Sequence, residues 1–346
     1  MLACGADMKG AFALAEGETV YLEDGFGDLA DPGNLTRYEK AVKALEKKLK
    51  IKPEIIVCDM HPAYFSTEFA RKATRYAVHS TLYAVQHHEA HVASVMTDNS
   101  LRGAVIGVAF DGTGFGSDSK IWGGEFFAGS PKKFRRAAHL EYVPMPGAEA
   151  AVREPWRMAM SYLYKTFGNA FLRKVKKADK ALFMKTMIDK GINSPLTSSA
   201  GRLFDGAASL ILNKEKAAFE AELPMELEKI ASRHCEEHYG FDTRDIFRGI
   251  VKDIAGGVDR RLVSAKFHNT VAGIIVRTAA RLKKRYGIGT AVLSGGVFQN
   301  RYLLAKTVPA LRDSGFKVYT HSRVSTTDAG IPLGQIAIAH ARFRCA

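Results

Sequence analysis

The sequence is poor in cysteine and contains no C-x-x-C pair. Its four cysteines lie far apart, at Cys4, Cys58, Cys235 and Cys345. This spread excludes a disulfide framework and a cysteine-based zinc knuckle, so we expect buried, reduced thiols. Long hydrophobic runs are also missing, since no stretch approaches the ~18 uninterrupted apolar residues of a membrane span and no basic segment leads into an apolar one at the start. We therefore expect a cytoplasmic protein with no membrane partner.

Low-complexity tracts are absent as well, and 47% hydrophobic and 25% charged residues are typical of a folded soluble chain. A length of 346 residues favours two domains, each with its own core. The formal net charge of +14 is concentrated in KAVKALEKKLKIK, RKVKKADK and RLKKRYG. Such runs are typical of solvated helix faces, and they also suit an anionic partner, whether a nucleotide, RNA or an acidic protein. Charge alone does not choose between these.

Helix and strand patterns alternate through the first hundred residues. Apolar residues spaced by three and four from Leu35 predict an amphipathic helix that begins near Asn34 or Thr36. PEIIVCDM and TLYAVQ are typical of strands, and a glycine-punctuated strand pair after residue 102 predicts a hairpin that opens a second lobe. We therefore expect an α/β protein of two lobes. The expected bounds are 1–102 for the first lobe, completed by about 321–346, and 103–320 for the second, with a helical insertion at about 151–240.

Three glycine-marked turns follow apolar strands, in LACGADMKG, GVAFDGTGFGSD and AVLSGGVFQN. Glycine lets a backbone approach a phosphate closely and present its N–H groups, so each turn suits a nucleotide. None matches the G-x-x-x-x-G-K-[ST] or G-x-G-x-x-G pattern, and any one of them alone is typical of an ordinary connection. Three such turns at corresponding places in two lobes favour a nucleotide in the cleft between them.

Three histidines fall within five positions in AVQHHEAHVASVM. If a helix begins near His87, His87 and His91 share one face, while His88 points about 100° away. HEAH is not the H-E-x-x-H of zinc proteases. The polar residues at strand ends that would complete a two-histidine site are Asp111 and Asp328, and mixed nitrogen and oxygen ligands suit zinc or iron. A packed histidine pair without a metal is the alternative.

Nine segments occur in the order and roughly the spacing of the C-terminal catalytic domain of the HypF family of hydrogenase-maturation carbamoyltransferases. They are CGADMKGAFALA, IIVCDMHPAYFSTEFA, VQHHEAHVASVM, AFDGTGFG with IWGGEF, REPWRMA, SPLTSSAGRLFD, SAKFHNT, LSGGVFQN and TTDAGIPLGQ. The sequence resembles this domain from residue 2 to about 337. HHEAH, FDGTG, REPWRMA and SPLTSSAGRLFD together are specific, whereas SGG alone is not.

The resemblance implies the two-lobed actin- and sugar-kinase-like (ASKHA) fold, with a nucleotide and a metal in the cleft, in the branch shared with threonylcarbamoyl-transferring, TsaD-like tRNA enzymes. It implies that His87, His91, Asp111 and Asp328 bind a divalent metal, zinc or iron with magnesium as an alternative. This metal would bind the phosphates of ATP or carbamoyl-adenylate. The residues implied for the nucleotide pocket are Gly112, Thr113, Gly114, Asp205, Gly206, Gly295, Gly296 and Asn300.

The resemblance also implies a reaction and its partners. In the family, carbamoyl-adenylate delivers its carbamoyl group to the C-terminal cysteine of a HypE-like partner, as the first step toward the cyanide ligands of nickel–iron hydrogenase. Because that partner supplies the thiol, no catalytic serine or cysteine is needed here. Full-length members carry further domains, including a YrdC-like one that makes the adenylate, and the sequence contains none of them. We expect adenylate synthesis to come from the rest of a longer chain or from a separate protein.

Four further residues are candidate substrate contacts: Lys9, His61, Arg153 and Arg202. For three of them a structural role is the alternative, namely a solvent-exposed lysine, a histidine that caps a strand end, and a salt bridge at a helix start.

Three other functions fit parts of the pattern. They are a threonylcarbamoyl transferase acting on tRNA, a small-molecule O-carbamoyltransferase, and a non-catalytic ATP-binding docking module. The positive charge suits the first, but FDGTG, REPWRMA and SPLTSSAGRLFD favour the carbamoyl family, so a nucleic acid is not the expected partner.

Overall fold

The computed structural model describes residues 1–76, 80–174 and 178–343, and these ranges contain two β-sheets with helices packed against them. Part of the basic run RKVKKADK, the last three residues of the segment expected to complete the first lobe, and Cys345 lie outside the described residues. The other three cysteines are buried free thiols, as expected. Among the residues described, no helix combines the length and the apolar character needed to cross a bilayer.

The first sheet has five strands: β1 (Leu2–Ala3), β2 (Phe12–Glu16), β3 (Thr19–Glu23), β4 (Ile55–Asp59) and β5 (Thr81–Val85), in the order β3-β2-β1-β4-β5. β1, β4 and β5 run parallel, with Cys58 opposite Ala84, and β2 and β3 extend the sheet as an antiparallel pair. The two strands predicted from PEIIVCDM and TLYAVQ are thus adjacent. Their carboxyl ends point to the same edge of the sheet, which is where ligands bind in open α/β folds.

Three helices follow strands of this sheet along the chain: α1 (Pro32–Leu49), α2 (Phe65–Tyr76) and α3 (His87–Asp98). α1 begins two residues before Asn34 and four before Thr36, so the predicted start was too late. Asp31 caps the helix by accepting the N–H of Asn34 at 2.9 Å, and Pro32 occupies the first turn. The apolar period begins only at Leu35, whereas the Asp-Pro pair is the true start signal.

The second sheet contains β6 (Val105–Phe115), β7 (Ile121–Ser130), β8 (Lys133–His139), β9 (Val143–Pro144), β10 (Leu196–Thr197), β11 (Thr290–Ser294) and β12 (Lys317–Tyr319). β12, β11 and β6 are parallel neighbours, and the β6–β7 pair forms the predicted hairpin. The first sheet ends with β5 and the second begins with β6, on either side of residue 102.

The remaining helices are α4 (Ala150–Arg153), α5 (Trp156–Phe167), α6 (Ala178–Asp189), α7 (Ala200–Leu212), α8 (Glu222–Ile230), α9 (Thr243–Ala255), α10 (Arg260–Tyr286), α11 (Arg301–Asp313) and α12 (Ile331–Phe343). They include most of the segment predicted to be a helical insertion. α10 is one long helix capped by Gly287, as predicted, and the φ of 68° at this residue is the left-handed conformation that glycine adopts readily.

α3 is the central helix of the molecule. It packs against β6 and β11 of the second sheet and, most extensively, against α12, which in turn covers β1 and β2 of the first sheet. Ten of its twelve residues are buried, including all three histidines. A helix that is buried on nearly every side shows little amphipathic period, so the sequence pattern here is weak although the element is well defined.

Candidate metal and nucleotide site

The first turn of α3 fixes the direction of its histidines. The side-chain oxygen of Gln86 accepts the N–H of His88 at 2.7 Å and that of Glu89 at 2.9 Å, so the helix begins at His87. His87 and His91 therefore lie one turn apart on the same face, as the spacing predicts, with ring centroids 5.1 Å apart.

Two aspartates reach the same point from distant parts of the chain. The pairing of β6 with β7 shifts between Phe110 and Gly114. Such a bulge can re-aim a side chain, and the carboxylate of Asp111 in this stretch faces the two histidines of α3. The hydroxyl of Ser199, which caps α7, donates to the backbone carbonyl of Asp111 at 3.0 Å and holds the bulge in place. Asp328 begins a short 3₁₀ turn that leads into α12.

The Nε2 atoms of both histidines face both carboxylates. His87 Nε2 lies 3.4 Å from Asp111 Oδ2 and 3.7 Å from Asp328 Oδ1. The corresponding distances from His91 Nε2 are 3.4 and 3.5 Å. The four ligand atoms all lie within 4.8 Å of one another. The structure thus brings together the four residues predicted as metal ligands.

The donor set fits a divalent cation. Both Nε2 atoms are buried without a hydrogen-bond partner, and their distances to the carboxylates exceed those of ordinary hydrogen bonds. Ligands that sit about 2.1 Å from one tetrahedral ion are separated by about 3.4 Å, which is close to the observed spacing. Two neutral imidazoles and two carboxylates also balance a double positive charge. One bound ion would therefore explain both the unpartnered Nε2 atoms and the closeness of the two carboxylates.

The pKa shifts within the cluster also favour a bound cation. Burial by itself lowers the pKa of His87, but Asp59, Asp111 and Asp328 outweigh it and raise that pKa well above its usual range. Burial raises the pKa of Asp328, and the two histidines more than offset this, so that its pKa falls to about 2. The cluster therefore holds positive charge strongly, as protons on the imidazoles or as a cation between them.

His87 has a carboxylate behind it that sequence reasoning missed. Asp59, the last residue of β4, is buried and its Oδ2 lies 2.7 Å from His87 Nδ1. A carboxylate on the far nitrogen of a ligating histidine fixes the tautomer that leaves Nε2 free and makes the ring a better ligand. The sequence signal was present, because Asp59 lies at the carboxyl end of a predicted strand, and this end faces the site.

Asp59→Asn is expected to weaken Zn²⁺ binding by roughly 10–100-fold, the usual cost of losing such an outer partner, because the neutral amide no longer stabilises the ring. Competition with a chromophoric chelator measures the affinity. Asp242→Asn, at an exposed helix cap on α9, is the matched control and should bind Zn²⁺ like the parent protein. Equal affinity for parent and Asp59→Asn would exclude this role.

Two more neighbours of the ligands come from the end of β11 and from the turn that follows it. Ser294 Oγ lies 3.4 Å from His91 Nδ1, and the backbone N–H of Gly296 donates to Asp111 Oδ1 at 2.8 Å. The SGG turn therefore orients one ligand from each pair.

His88 differs from its neighbours, as the helix geometry predicts. Its Nδ1 lies 3.3 Å from the amide nitrogen of Gln86, and its ring packs beneath Gly114, where an added Cβ would come within 2.5 Å of it. Burial, followed by the charge of His87, lowers the pKa of His88 well below its usual range. A neutral ring packed beneath the backbone of β6 is not a ligand of this cluster.

A cavity of about 550 Å³ opens beside the cluster, and both aspartates line it. The other predicted residues that line it are Gly112, Thr113, Gly296, Asn300, Lys9 and Arg202. Asn300 is already engaged, because its amide nitrogen donates to His268 Nε2 at 3.0 Å and its oxygen caps α11. Asn300 is therefore part of the cavity wall, and both polar atoms of its side chain already have partners within the protein.

The structure places four residues implied for the nucleotide pocket in packing positions instead. Gly114 covers the rings of His87 and His88, and Gly295, with φ of 101°, lies against the carbonyl of Phe110. The other two lie in α7: Gly206 contacts the ring of Tyr162, and the buried Asp205 accepts the Nε–H of Arg202 at 2.7 Å.

Of the candidate substrate contacts, Arg202 and Lys9 line the cavity and the other two do not. His61 Nδ1 accepts the N–H of Ala63 at 3.3 Å, which is the capping alternative. Arg153 forms an exposed ion pair with Glu149 one helical turn away, which is the salt-bridge alternative. The cavity is also lined by three exposed apolar side chains that were not predicted from the sequence: Met8, Phe219 and Met225.

Comparison with known proteins identifies the chain along most of its length. The family profile described as carbamoyltransferase, Kae1-like domain, second subdomain matches residues 107–335, and that of the HypF Kae1-like domain matches residues 1–98. The carbamoyltransferase HypF homolog of Cupriavidus necator is 33% identical over 360 residues, which cover 98% of this chain and 91% of that protein. The carbamoyltransferase HypF of Synechocystis is 32% identical, over 97% of this chain and 46% of that protein.

Solved structures give the same result. The crystal structure of full-length HypF in the phosphate- and nucleotide-bound form matches with a TM-score of 0.91 and 36% identity, over 98% of this chain and 54% of that one. The HypF of T. kodakarensis matches with a TM-score of 0.90 and 27% identity, over 99% of this chain and 48% of that one. The expected two-lobed actin- and sugar-kinase-like fold is thereby confirmed. The chain spans about half the length of most of these relatives. It belongs to the HypF carbamoyltransferase family, in which it corresponds to the Kae1-like domain.

Proposed function

We propose that this chain transfers a carbamoyl group from carbamoyl-adenylate to the C-terminal cysteine thiol of a partner maturation protein, in the assembly of the cyanide ligands of nickel–iron hydrogenase. One observation carries the proposal. Asp111 and Asp328 belong both to the four-residue metal cluster and to the wall of the 550 Å³ cavity. A phosphate of a nucleotide in that cavity would therefore meet the cation directly.

The cavity offers glycine backbone and basic side chains to a phosphate, beside the acidic side chains of Glu220 and Glu228. Gly112 and Gly296 line it beside Asp111, and backbone at such positions approaches phosphate oxygens without a side chain in between. The positive side chains of Lys9 and Arg202 line the same cavity. Arg202 is held by its ion pair with Asp205, so its guanidinium is oriented before any ligand arrives. A HypF relative has been crystallised with nucleotide and phosphate bound, which supports a nucleotide here.

Two of the chain's thiols, those of Cys4 and Cys58, are buried and poor nucleophiles. Burial raises the pKa of Cys4 far above its usual value and raises that of Cys58 to about 11. Because the thiolate is the reactive form, neither cysteine is suited to attack a carbonyl. An acceptor thiol brought by a second protein fits this arrangement.

The transfer is a substitution at the carbamoyl carbon. The sulfur of the acceptor thiolate forms a bond to that carbon, the carbon–oxygen bond to the phosphate breaks, and AMP leaves with the electron pair. A bound metal would supply Lewis-acid stabilisation of the phosphate oxygens. The residues of the chain hold both reactants, and Lys9 and Arg202 offset the negative charge that develops on the leaving AMP.

The test is an acceptor assay read by mass spectrometry. Carbamoyl phosphate, ATP and a separate adenylating protein generate carbamoyl-adenylate, and the acceptor is a peptide that ends in cysteine. We expect the Zn²⁺-loaded protein to add one carbamoyl group to the cysteine sulfur. Asp328→Ala should lower the rate at least 100-fold, because one of the four ligands that hold the metal at the phosphate is lost.

The same assay separates the competing functions. A peptide that ends in serine is the matched control and should remain unmodified. Carbamoylation of a small-molecule hydroxyl compound, or threonylcarbamoylation of tRNA in place of peptide modification, would replace the proposal with one of the other two transferase functions. Partner binding with no modification of any acceptor would indicate a docking module.

A further inference from the structure

One face of α3 carries more than the two histidine ligands. Ser94 and Asp98 follow His87 and His91 at intervals of three and four residues. At 100° per residue the four positions fall within about 60° of one another around the helix. All four side chains are buried. The first two contribute to the metal cluster, and the last two bind the loop of residues 320–330, which carries Asp328.

Asp98 is the main anchor of that loop. Its carboxylate accepts the backbone N–H of Ser322 at 2.7 Å and that of Arg323 at 3.2 Å. It also accepts the Nε–H of Arg323 at 3.0 Å, while the guanidinium donates to the backbone carbonyl of Asp98. Burial alone raises the pKa of Asp98, but these amide and guanidinium donors outweigh it and leave the pKa below its usual value. The group is therefore a buried anion satisfied by the loop.

Ser94 of α3 and Asn99, which caps the end of this helix, hold the rest of the loop. Asn99 donates its side-chain N–H to the carbonyl of Thr320 at 2.9 Å, and Ser94 donates its hydroxyl to the carbonyl of Gly330 at 2.7 Å. The loop is thus tied to the helix at its start, near its middle and just after Asp328. Residues 321–327 contain no strand or helix, so the hydrogen bonds of regular secondary structure do not fix their course.

We propose that Asp98 is the positioning residue for Asp328. It sets Asp328 at the correct distance from His87 and His91 by fixing the loop to the same helix face. The metal site then depends on one rigid element, since α3 supplies two ligands and the template for a third. This inference rests on the proposed metal site, but it concerns residues that contact neither the metal nor the nucleotide.

The test compares Asp98→Asn with the parent protein and with Asp328→Ala in a double-mutant cycle. The readouts are the Zn²⁺ dissociation constant and the visible spectrum of the Co²⁺-loaded protein, which reports ligand geometry. We expect Asp98→Asn to bind Zn²⁺ roughly 10–100-fold more weakly and to alter the Co²⁺ spectrum. In the Asp328→Ala background the same change should cost nothing further, because its effect passes through Asp328.

Asp253→Asn is the matched control, a carboxylate of α9 whose partners, Tyr239 and Lys266, are not ligands. It should leave both metal readouts unchanged. Unchanged metal binding in folded Asp98→Asn overturns the proposal, as does a full additional loss in the Asp328→Ala background.

Failure of the proposed function would give a different result. A parent protein that binds neither Zn²⁺ nor Co²⁺ contradicts the metal site itself. Amide hydrogen exchange then tests the loop anchor without any metal. Exchange at Ser322 and Arg323 that is at least tenfold faster in Asp98→Asn supports the anchoring role, and equal exchange overturns it.

Discussion

Replacing His87 or His91 with glutamine is expected to remove tight Zn²⁺ binding, whereas the same replacement of His88 is expected to leave it largely intact. His87 and His91 direct buried, unpartnered Nε2 atoms at two carboxylates, and an amide oxygen is a poor zinc ligand in their place. The loss should exceed the roughly 10–100-fold that an outer partner costs, because a ligand itself disappears.

The three variants control for one another. All three histidines are buried in the same helix, so glutamine perturbs the packing in each case while it removes the imidazole. Circular dichroism establishes that each variant is folded, and a Zn²⁺ titration gives its affinity. Equal weakening by all three would mean that the histidines form a packed structural cluster, which is the alternative that the sequence leaves open.

The ligand pair could be predicted from the sequence because the signal is local. The histidine spacing needs only a helix that begins near His87, and Gln86 supplies that beginning. Asp111 and Asp328 lie more than two hundred residues apart, and strand-end position together with the family resemblance nominated them. Asp59 satisfies the same strand-end criterion, but no local rule ties it to the far nitrogen of one particular histidine.

The glycines show where sequence reasoning stops. A glycine after a strand is consistent with a bound phosphate, with a tight turn or with close packing. The group that faces the glycine in the folded protein determines which of these roles it has. For Gly112 and Gly296 that partner is the cavity, whereas for Gly114 it is a pair of histidine rings. Such partners come from elements distant in sequence, so the local pattern does not contain them.

The anchor at Asp98 was missed for a related reason. An aspartate in the last turn of a helix is unfavourable to the helix dipole and gives no reason to expect a function. Its value appears only when the loop after β12 folds back onto α3, which depends on how the second sheet orders β12 and β11. The sequence of α3 predicts a helix, whereas the anchoring role of its last turn depends on tertiary contacts with the loop of residues 320–330.

Gly334→Ala is expected to destabilise the protein by about 3 kcal/mol or more, at the upper end of what overpacking usually costs. Gly334 lies in α12 where this helix crosses α3. A Cβ at this position would lie 1.9 Å from the carbonyl oxygen of Ala90 and 2.9 Å from the backbone nitrogen of Ser94. These are main-chain atoms of a buried helix, so no side chain can rotate away, and the two helices must separate.

The separation should also damage the metal site, because the helix that moves carries His87 and His91. Urea unfolding measures the stability, and a Zn²⁺ titration of the folded fraction measures the site. Gly289→Ala is the matched control, since no atom lies within 4 Å of the added Cβ, and its stability should stay within about 0.5 kcal/mol of the parent. A Gly334→Ala protein as stable as this control would show that α12 can shift without cost. The close contact between α12 and α3 would then not be what fixes the two histidines opposite the aspartates.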